Sequence, residues 1–353
     1  MDLIEKDPVI TWLLEGDPAV RWQVQRDLLG LPAETWRPVR AAITTQGEGA
    51  ALLAAQDEDG QWDGGALFPA GFTEQLYLEE GQPWTTTQWS LAVLRGLGAE
   101  PTDPALRSTA SRLRSHCTWE HDGEPFWDGE VEECINGRVV SDAVWLGIDA
   151  TPVVRRLLGE QQDDGGWNCE RADGSLRSSF DSTINVLEGL TDYEQALRRG
   201  NETGAAQRAD GTAPEELARA RRGGEEYLAV RGLFRSLSTG EPAQERYLTP
   251  VHPPRWRYDI LRGLEHFRSA STLEGDAPDP RLADAVGHLE SLRRYDGTWP
   301  AGPQPRGWTW YPPDAPEGEP SRWITLRALR VLAWWDAGHA QPSREEVSPP
   351  AAP

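Results

Sequence analysis

Two cysteines, an aspartate and a histidine stand near the starts of successive predicted helical segments, at spacings that match no zinc finger. Cys134 opens a predicted helical segment, Cys169 follows a tryptophan-containing loop, Asp181 begins the next segment, and His252 stands just before another. Thiolate, carboxylate and imidazole together suit tetrahedral zinc, and segments lying side by side would bring these starts to one rim. Free cysteine also packs as a small buried hydrophobe, so a structural role for both thiols stays open.

Arginine supplies the second chemical signal. Arg138, Arg177, Arg255 with Arg257, and Arg322 lie near the starts of predicted helical segments. A helix N-terminus carries partial positive charge, so a cation there is disfavoured unless an anion sits beside it. The free N–H groups at the same end also bind anions. If these arginines converge at one mouth, they would receive a phosphate or carboxylate head, with Trp89, Trp145, Tyr258 and Trp323 around an apolar tail. The competing reading pairs them with loop carboxylates such as Glu132, Asp173 and Glu319.

The elements that must position these groups are repeats. Three loops read almost alike: Gln56 to Trp62 (QDEDGQW), Gln161 to Trp167 (QQDDGGW) and Arg294 to Trp299 (RYDGTW). Each follows a helix-like stretch and precedes another, at residues 85–97, 179–190 and 321–332. Residues 136–146 and 254–264 form similar stretches without a clear tryptophan loop. Helix–turn–helix units at steps of roughly 50 to 70 residues mark stacked helical hairpins. With an N-terminal unit they number about six, which suits a closed ring of inner and outer helices better than an open array with polar caps. The expected fold is all-α, an α/α toroid forming a single domain over residues 1–340. Residues 195–226, poor in apolar side chains, read as a mobile insertion, and 341–353 as a disordered tail.

Composition narrows the partners. A formal charge of −22 would repel nucleic acid and anionic lipid surfaces. No stretch approaches the ~20 apolar residues needed to span a bilayer. The acidic start lacks the pattern of a signal peptide. Three cysteines do not make a disulfide framework, so a reducing, cytoplasmic location is expected. The 17 tryptophans point to repeated stacking, since each indole needs both packing and a partner for its N–H.

The Gln-acid-x-Gly-x-Trp loops resemble the QW repeats of the terpenoid cyclase and protein prenyltransferase superfamily, over about residues 17 to 335. The resemblance implies an α/α toroid around a central aromatic cavity that binds or transforms an isoprenoid. Asp181, in the stretch Ser179-Phe180-Asp181-Ser182-Thr183, matches the proton-donating position of squalene-type cyclases, although its flanking carboxylates are replaced by Ser179 and Ser182. A lone aspartate near a helix start is stabilised as the anion, so a capping role stands beside the catalytic one. The resemblance to prenyltransferase subunits implies zinc, for which Cys134, Cys169 and His252 are the candidates. The Asp-Asp-x-x-Asp motif that holds magnesium on a diphosphate is absent, because Asp163-Asp164 run into Gly165. Two readings follow: an enzyme of cyclase or prenyl-transfer type, or a non-catalytic binding or scaffold protein on the same fold. Substrate identity and oligomeric state stay open.

Overall fold

Aspartate followed by proline starts the first two helices. The Asp7 carboxylate accepts from the Val9 amide at 2.7 Å and Asp17 from the Ala19 amide at 2.8 Å. Proline, whose missing N–H costs nothing in the first turn, opens α1 (Pro8–Leu14) and α2 (Pro18–Gln23). The computed structural model describes residues 7–203 and 213–339. Among them the chain is all-α, with only isolated β-bridges in its loops. No helix among the described residues is long and apolar enough to cross a membrane.

After α2, which runs on into a π-turn over Val24–Leu28, come α3 (Ala33–Ala41), α4 (Gly47–Ala54), α5 (Glu74–Glu80), α6 (Thr87–Leu97) and α7 (Thr109–His116). Then follow α8 (Glu133–Trp145), α9 (Thr151–Gly159), α10 (Phe180–Thr203), α11 (Pro214–Ala229), α12 (Ile260–Glu274), α13 (Ala283–Ser291) and α14 (Arg322–His339). One series packs in cyclic order: α6 on α8, α8 on α10, α10 on α12, α12 on α14, and α14 on α2. The cycle closes where the Trp22 indole donates to the Leu97 carbonyl at the end of α6, at 2.9 Å. Helices α9, α11 and α13 pack against α8, α10 and α12 as a second series. Glycine allows the tightest of these contacts. A Cβ on Gly137 of α8 would collide with the Asn185 carbonyl of α10, and one on Gly189 with the Gly137 carbonyl.

The three tryptophan loops are equivalent in detail. Trp62, Trp167 and Trp299 are fully buried. Each indole N–H donates at 2.7 Å to the carbonyl ten residues earlier, of Leu52, Leu157 and Leu289 respectively. Each tryptophan amide donates to a threonine hydroxyl in the first turn of the following helix: Thr87 at 3.1 Å, Thr183 at 3.0 Å and Thr325 at 2.9 Å. One ring therefore clamps the end of one helix to the start of the next. The glycine of each loop, Gly60, Gly165 or Gly297, sits at φ between 87° and 94°, which a side chain would resist.

The stretch read as a mobile insertion, residues 195–226, is described in part. Residues 195–203 continue α10 and residues 214–226 lie in α11, so this stretch is helix on both sides of the undescribed residues 204–212. Its buried face is small but anchored by charge: Arg221, 1% exposed, pairs with Glu194, Glu225 and Glu274 at 2.5 to 2.8 Å. The tail 341–353 lies outside the described residues. The helices of the cycle are also linked by buried or half-buried charges: Arg95 to Asp142 and Asp192, Arg262 to Glu188, Arg327 to Glu265, and Arg330 to Glu265 and Asp27. The buried apolar residues, including the three loop tryptophans, form one continuous core.

Candidate functional site: a chamber with two unpaired arginines

Helix α8 carries Arg138 in its second turn, and the loop before α12 carries Arg255. Both side chains are buried, 7% and 9% exposed. Neither has a carboxylate partner among the described residues. Arg138 lies over the Trp89 ring, 5.1 Å from its centroid, and Arg255 over Trp84 at 4.3 Å. The Arg138 Nε and Nη2, the Arg255 Nε, the Trp89 indole Nε1 and the His252 Nδ1 have no hydrogen-bond partner there. Burial is the main reason both guanidiniums are held down to about 9; at Arg138 the charge of Arg262 adds to it, and Glu188 and Asp142 offset it only in part. Both remain cations at neutral pH.

Arg138, Arg255, Trp89 and His252 line a cavity of about 140 Å³, together with Val93, Arg95, Glu188 and Arg262. Arg95 and Arg262 are already neutralised, by Asp142 at 2.9 Å and by Glu188 at 2.6 Å. The surplus charge is therefore that of Arg138 and Arg255. A second cavity of about 190 Å³ shares Val93, Pro253 and Arg255 and adds Trp84, Trp310 and Tyr311. The segment 304–313 lines it and is held to both sides of the chamber. The Trp84 amide donates to the Trp308 carbonyl and the Trp84 indole to the Arg306 carbonyl, both at 3.0 Å. The Trp310 indole donates to the Thr85 carbonyl and the Gln304 amide group to the His252 carbonyl, both at 2.9 Å. Arg255 itself sits at φ 54°, a left-handed conformation that is strained for a non-glycine residue.

Of the arginines expected at one mouth, Arg138 and Arg255 meet, while Arg177, Arg257 and Arg322 do not join them. Arg177 is exposed. Arg257 lies over Trp256 at 5.4 Å, and Arg322 covers Trp12 at 4.6 Å and donates to its carbonyl. Among the described residues, Glu132, Asp173 and Glu319 pair with none of the five. Of the expected aromatics only Trp89 lines the chamber. Trp145 donates to the Ala99 carbonyl, Tyr258 donates to the Leu233 carbonyl beside Phe180 and Tyr247, and Trp323 stacks on His252 at 4.5 Å.

Asp181 is tied as an acceptor. It takes the Arg246 guanidinium at 2.5 Å, the Tyr258 amide at 2.7 Å and the Tyr247 hydroxyl at 3.3 Å. Such a carboxylate anchors the loop before α12 to the start of α10. Cys134 and Cys169 do meet: the Cys134 amide donates to the Cys169 sulfur at 3.2 Å. Their third neighbour is Glu132 rather than His252. His252 belongs to the chamber, where burial first, and then the charge of Arg327, hold its imidazole well below the usual range.

Arg95, Glu188 and Arg262 were not singled out from the sequence, yet a signal for them exists. Leu94-Arg95-Gly96-Leu97, Leu187-Glu188-Gly189-Leu190 and Leu261-Arg262-Gly263-Leu264 place a charge in the same register of three helices of the cycle. Trp84 carries no comparable signal, because its role depends on a segment more than two hundred residues away, reached through the Arg306 carbonyl.

Fold and site together define an all-helical protein with a buried arginine–tryptophan chamber. No family model matches the chain. A stretch of 77 residues is 38% identical to the nucleoside diphosphate kinase of Haloarcula marismortui, covering 21% of this chain and 46% of that protein. A stretch of 84 residues is 33% identical to the nucleoside diphosphate kinase of Bacillus licheniformis, covering 23% of this chain and 53% of that one. The chain thus spans about half the length of the curated relatives it matches. Among solved structures, a crystal structure of a protein from Actinoplanes is similar over 90% of both chains, with 18% identity and a TM-score of 0.41.

Proposed function

We propose that this chain binds a short isoprenoid with a phosphate-type head, the head between Arg138 and Arg255 and the tail toward Trp84, Trp89 and Trp310. The observation that carries this reading is the pair of buried guanidiniums with unpartnered N–H groups, each over a tryptophan face. An uncompensated buried charge costs on the order of several kcal/mol. Stability is commonly sacrificed in this way where a ligand site needs it. Two cations complement a head with two negative charges, as in a prenyl phosphate or diphosphate.

Cavity size bounds the tail. An apolar cavity of about 150 Å³ accommodates benzene, so spaces of about 140 and 190 Å³ suit a tail of a few isoprene units at most. The cyclic order of the helices and the QW-like loops support an isoprenoid ligand within a toroid. Binding without cyclisation is the favoured form, because Asp181 is occupied as an acceptor by Arg246, Tyr247 and Tyr258.

Titration calorimetry with geranyl diphosphate tests this. One-to-one binding is expected, and Arg138→Met and Arg255→Met should each weaken it by roughly 10- to 150-fold, the equivalent of losing about 1.5–3 kcal/mol. The same variants should melt at an unchanged or higher temperature, since each removes an unpaired buried cation. Arg177→Met, on the surface, should alter neither quantity. Absence of binding by geranyl and farnesyl diphosphate alike would leave the scaffold reading in place.

A further inference from the structure

We infer that Glu132, Cys134 and Cys169 form a binding site for a thiophilic divalent cation, with zinc as the best match. One ligand atom from each residue lies within 4.8 Å of the other two, and no other such trio of His, Cys, Asp or Glu occurs among the described residues. All three residues are half-buried, which leaves the site accessible to an ion while holding its side chains in place.

The donor set is chemically selective. Two sulfurs and one carboxylate oxygen are too soft for magnesium or calcium, which prefer all-oxygen sites, and they fit tetrahedral zinc. Three protein donors leave a fourth position for water or another ligand, as in zinc sites that exchange.

A second, independent observation is the way the Cys169 sulfur is prepared. It accepts both the Cys134 amide and the Ser182 hydroxyl, each at 3.2 Å. These two donors fix the sulfur in place beside Cys134 and Glu132. Ser182 in turn accepts the Cys169 amide at 3.1 Å and the Ser179 hydroxyl at 2.9 Å, which orients it. The Cys134 thiol lies 3.5 Å from Glu132 Oε2. Partners that fix the ligands in this way set metal affinity nearly as strongly as the ligands themselves. The site joins the start of α8, the short turn Cys169–Arg171 that follows the Trp167 loop, and the first turn of α10.

The place of this site in the fold adds to its interest. Cys134 precedes Arg138 by four residues on α8, about 6 Å of helix rise. A cation held by Cys134 would therefore stand one helical turn from a guanidinium that lines the chamber. The inference does not depend on the isoprenoid reading, because its ligands are separate from the chamber residues.

The test uses the full chain purified without chelators. Elemental analysis should find about one zinc per chain, and X-ray absorption at the zinc edge should show two sulfur neighbours at about 2.3 Å together with oxygen or nitrogen. Cobalt(II) added to the metal-free protein should give thiolate charge-transfer bands and the visible bands of a tetrahedral ion. Cys134→Ser and Cys169→Ser should abolish those bands, whereas Cys117→Ser should leave them intact. Glu132→Gln should weaken cobalt binding by more than the ~10–100-fold typical of losing an outer partner. Far-UV circular dichroism of each variant checks that it folds, and the absorption experiment on the unmodified protein needs no variant. Folded protein that takes up neither ion, a zinc shell without two sulfurs, or cobalt bands that persist in both serine variants would overturn the inference.

Discussion

Trp167→Ala should destabilise the protein by about 3–5 kcal/mol, the range for removing a large buried aromatic side chain. The ring is fully buried, and its loss would strip packing from the space beside Gly224 and leave the Leu157 carbonyl without its indole donor at 2.7 Å. Because Trp167 joins the end of α9 to the start of α10, the vacated space lies between helices and closes poorly. The hydrogen bond and the packing can be separated. Thr183→Val keeps most of the side-chain volume but leaves the Trp167 amide without its acceptor, which should cost about 1–3 kcal/mol. Urea unfolding followed by far-UV circular dichroism measures both. Trp62→Ala and Trp299→Ala should behave like Trp167→Ala, since all three share the same bonds. A loss under about 1 kcal/mol for any of them would mean that the loops do not clamp the hairpins.

Glu265→Gln should cost about 3–5 kcal/mol, the usual result of removing one partner from a buried ion pair. Glu265 accepts from Arg327 and Arg330, both at 2.6 Å, and ties α12 to α14. Arg330 also reaches Asp27 and Gln23, so one carboxylate holds together the region where α14 meets the end of α2. The pH dependence has a definite sign. Burial alone would raise the Glu265 carboxyl, but the two guanidiniums outweigh it and bring the group down from 4.5 to about 2. A folded-state value below the unfolded one gives stability that is complete above about pH 5 and is lost as pH falls from 4.5 toward 2. The amount is on the order of 3 kcal/mol. Wild type should therefore show an acid-unfolding limb in this range that Glu265→Gln lacks, and the gap between the two proteins should narrow as the solution is acidified. Parallel curves for wild type and variant would show that Glu265 is not the group responsible.

Much of the fold was legible because helical repeats are local objects. The Asp–Pro starts, the glycine of each tryptophan loop and the stretch of apolar residues on either side act over a few neighbours. The shared loop pattern alone was enough to place Trp62, Trp167 and Trp299 in equivalent roles. The threonines that bind the tryptophan amides were less visible, because their separation from the ring varies from 16 to 26 residues. Helix starts shifted where a cap decided them. Asp259 accepts the Arg262 amide and begins α12 at Ile260, so Arg255 and Arg257 precede the helix.

The site was legible only in part. Residue type and approximate placement brought Arg138, Arg177, Arg255, Arg257 and Arg322 to one mouth, or to loop carboxylates, and grouped Cys134 and Cys169 with His252, without indicating which of them would meet. Which cations keep a free charge is a different question, since it is settled by carboxylates brought in from other helices. Arg95 finds Asp142 and Asp192, Arg262 finds Glu188, and Arg138 makes no ion pair among the described residues and lies over the face of Trp89. In the same way, the approach of Glu132 to the thiols and the transfer of His252 to the chamber follow from how α8, α10 and the loop before α12 pack. The sequence by itself determined the helical hairpins and their tryptophan clamps, because these depend on short-range periodicity and turn chemistry. Only the tertiary structure decided which charges pair, and that Arg138 and Arg255 share a cavity without a carboxylate partner of their own. Coulombic pairing acts over a few ångströms between residues far apart in the chain, and no spacing along the sequence encodes those distances.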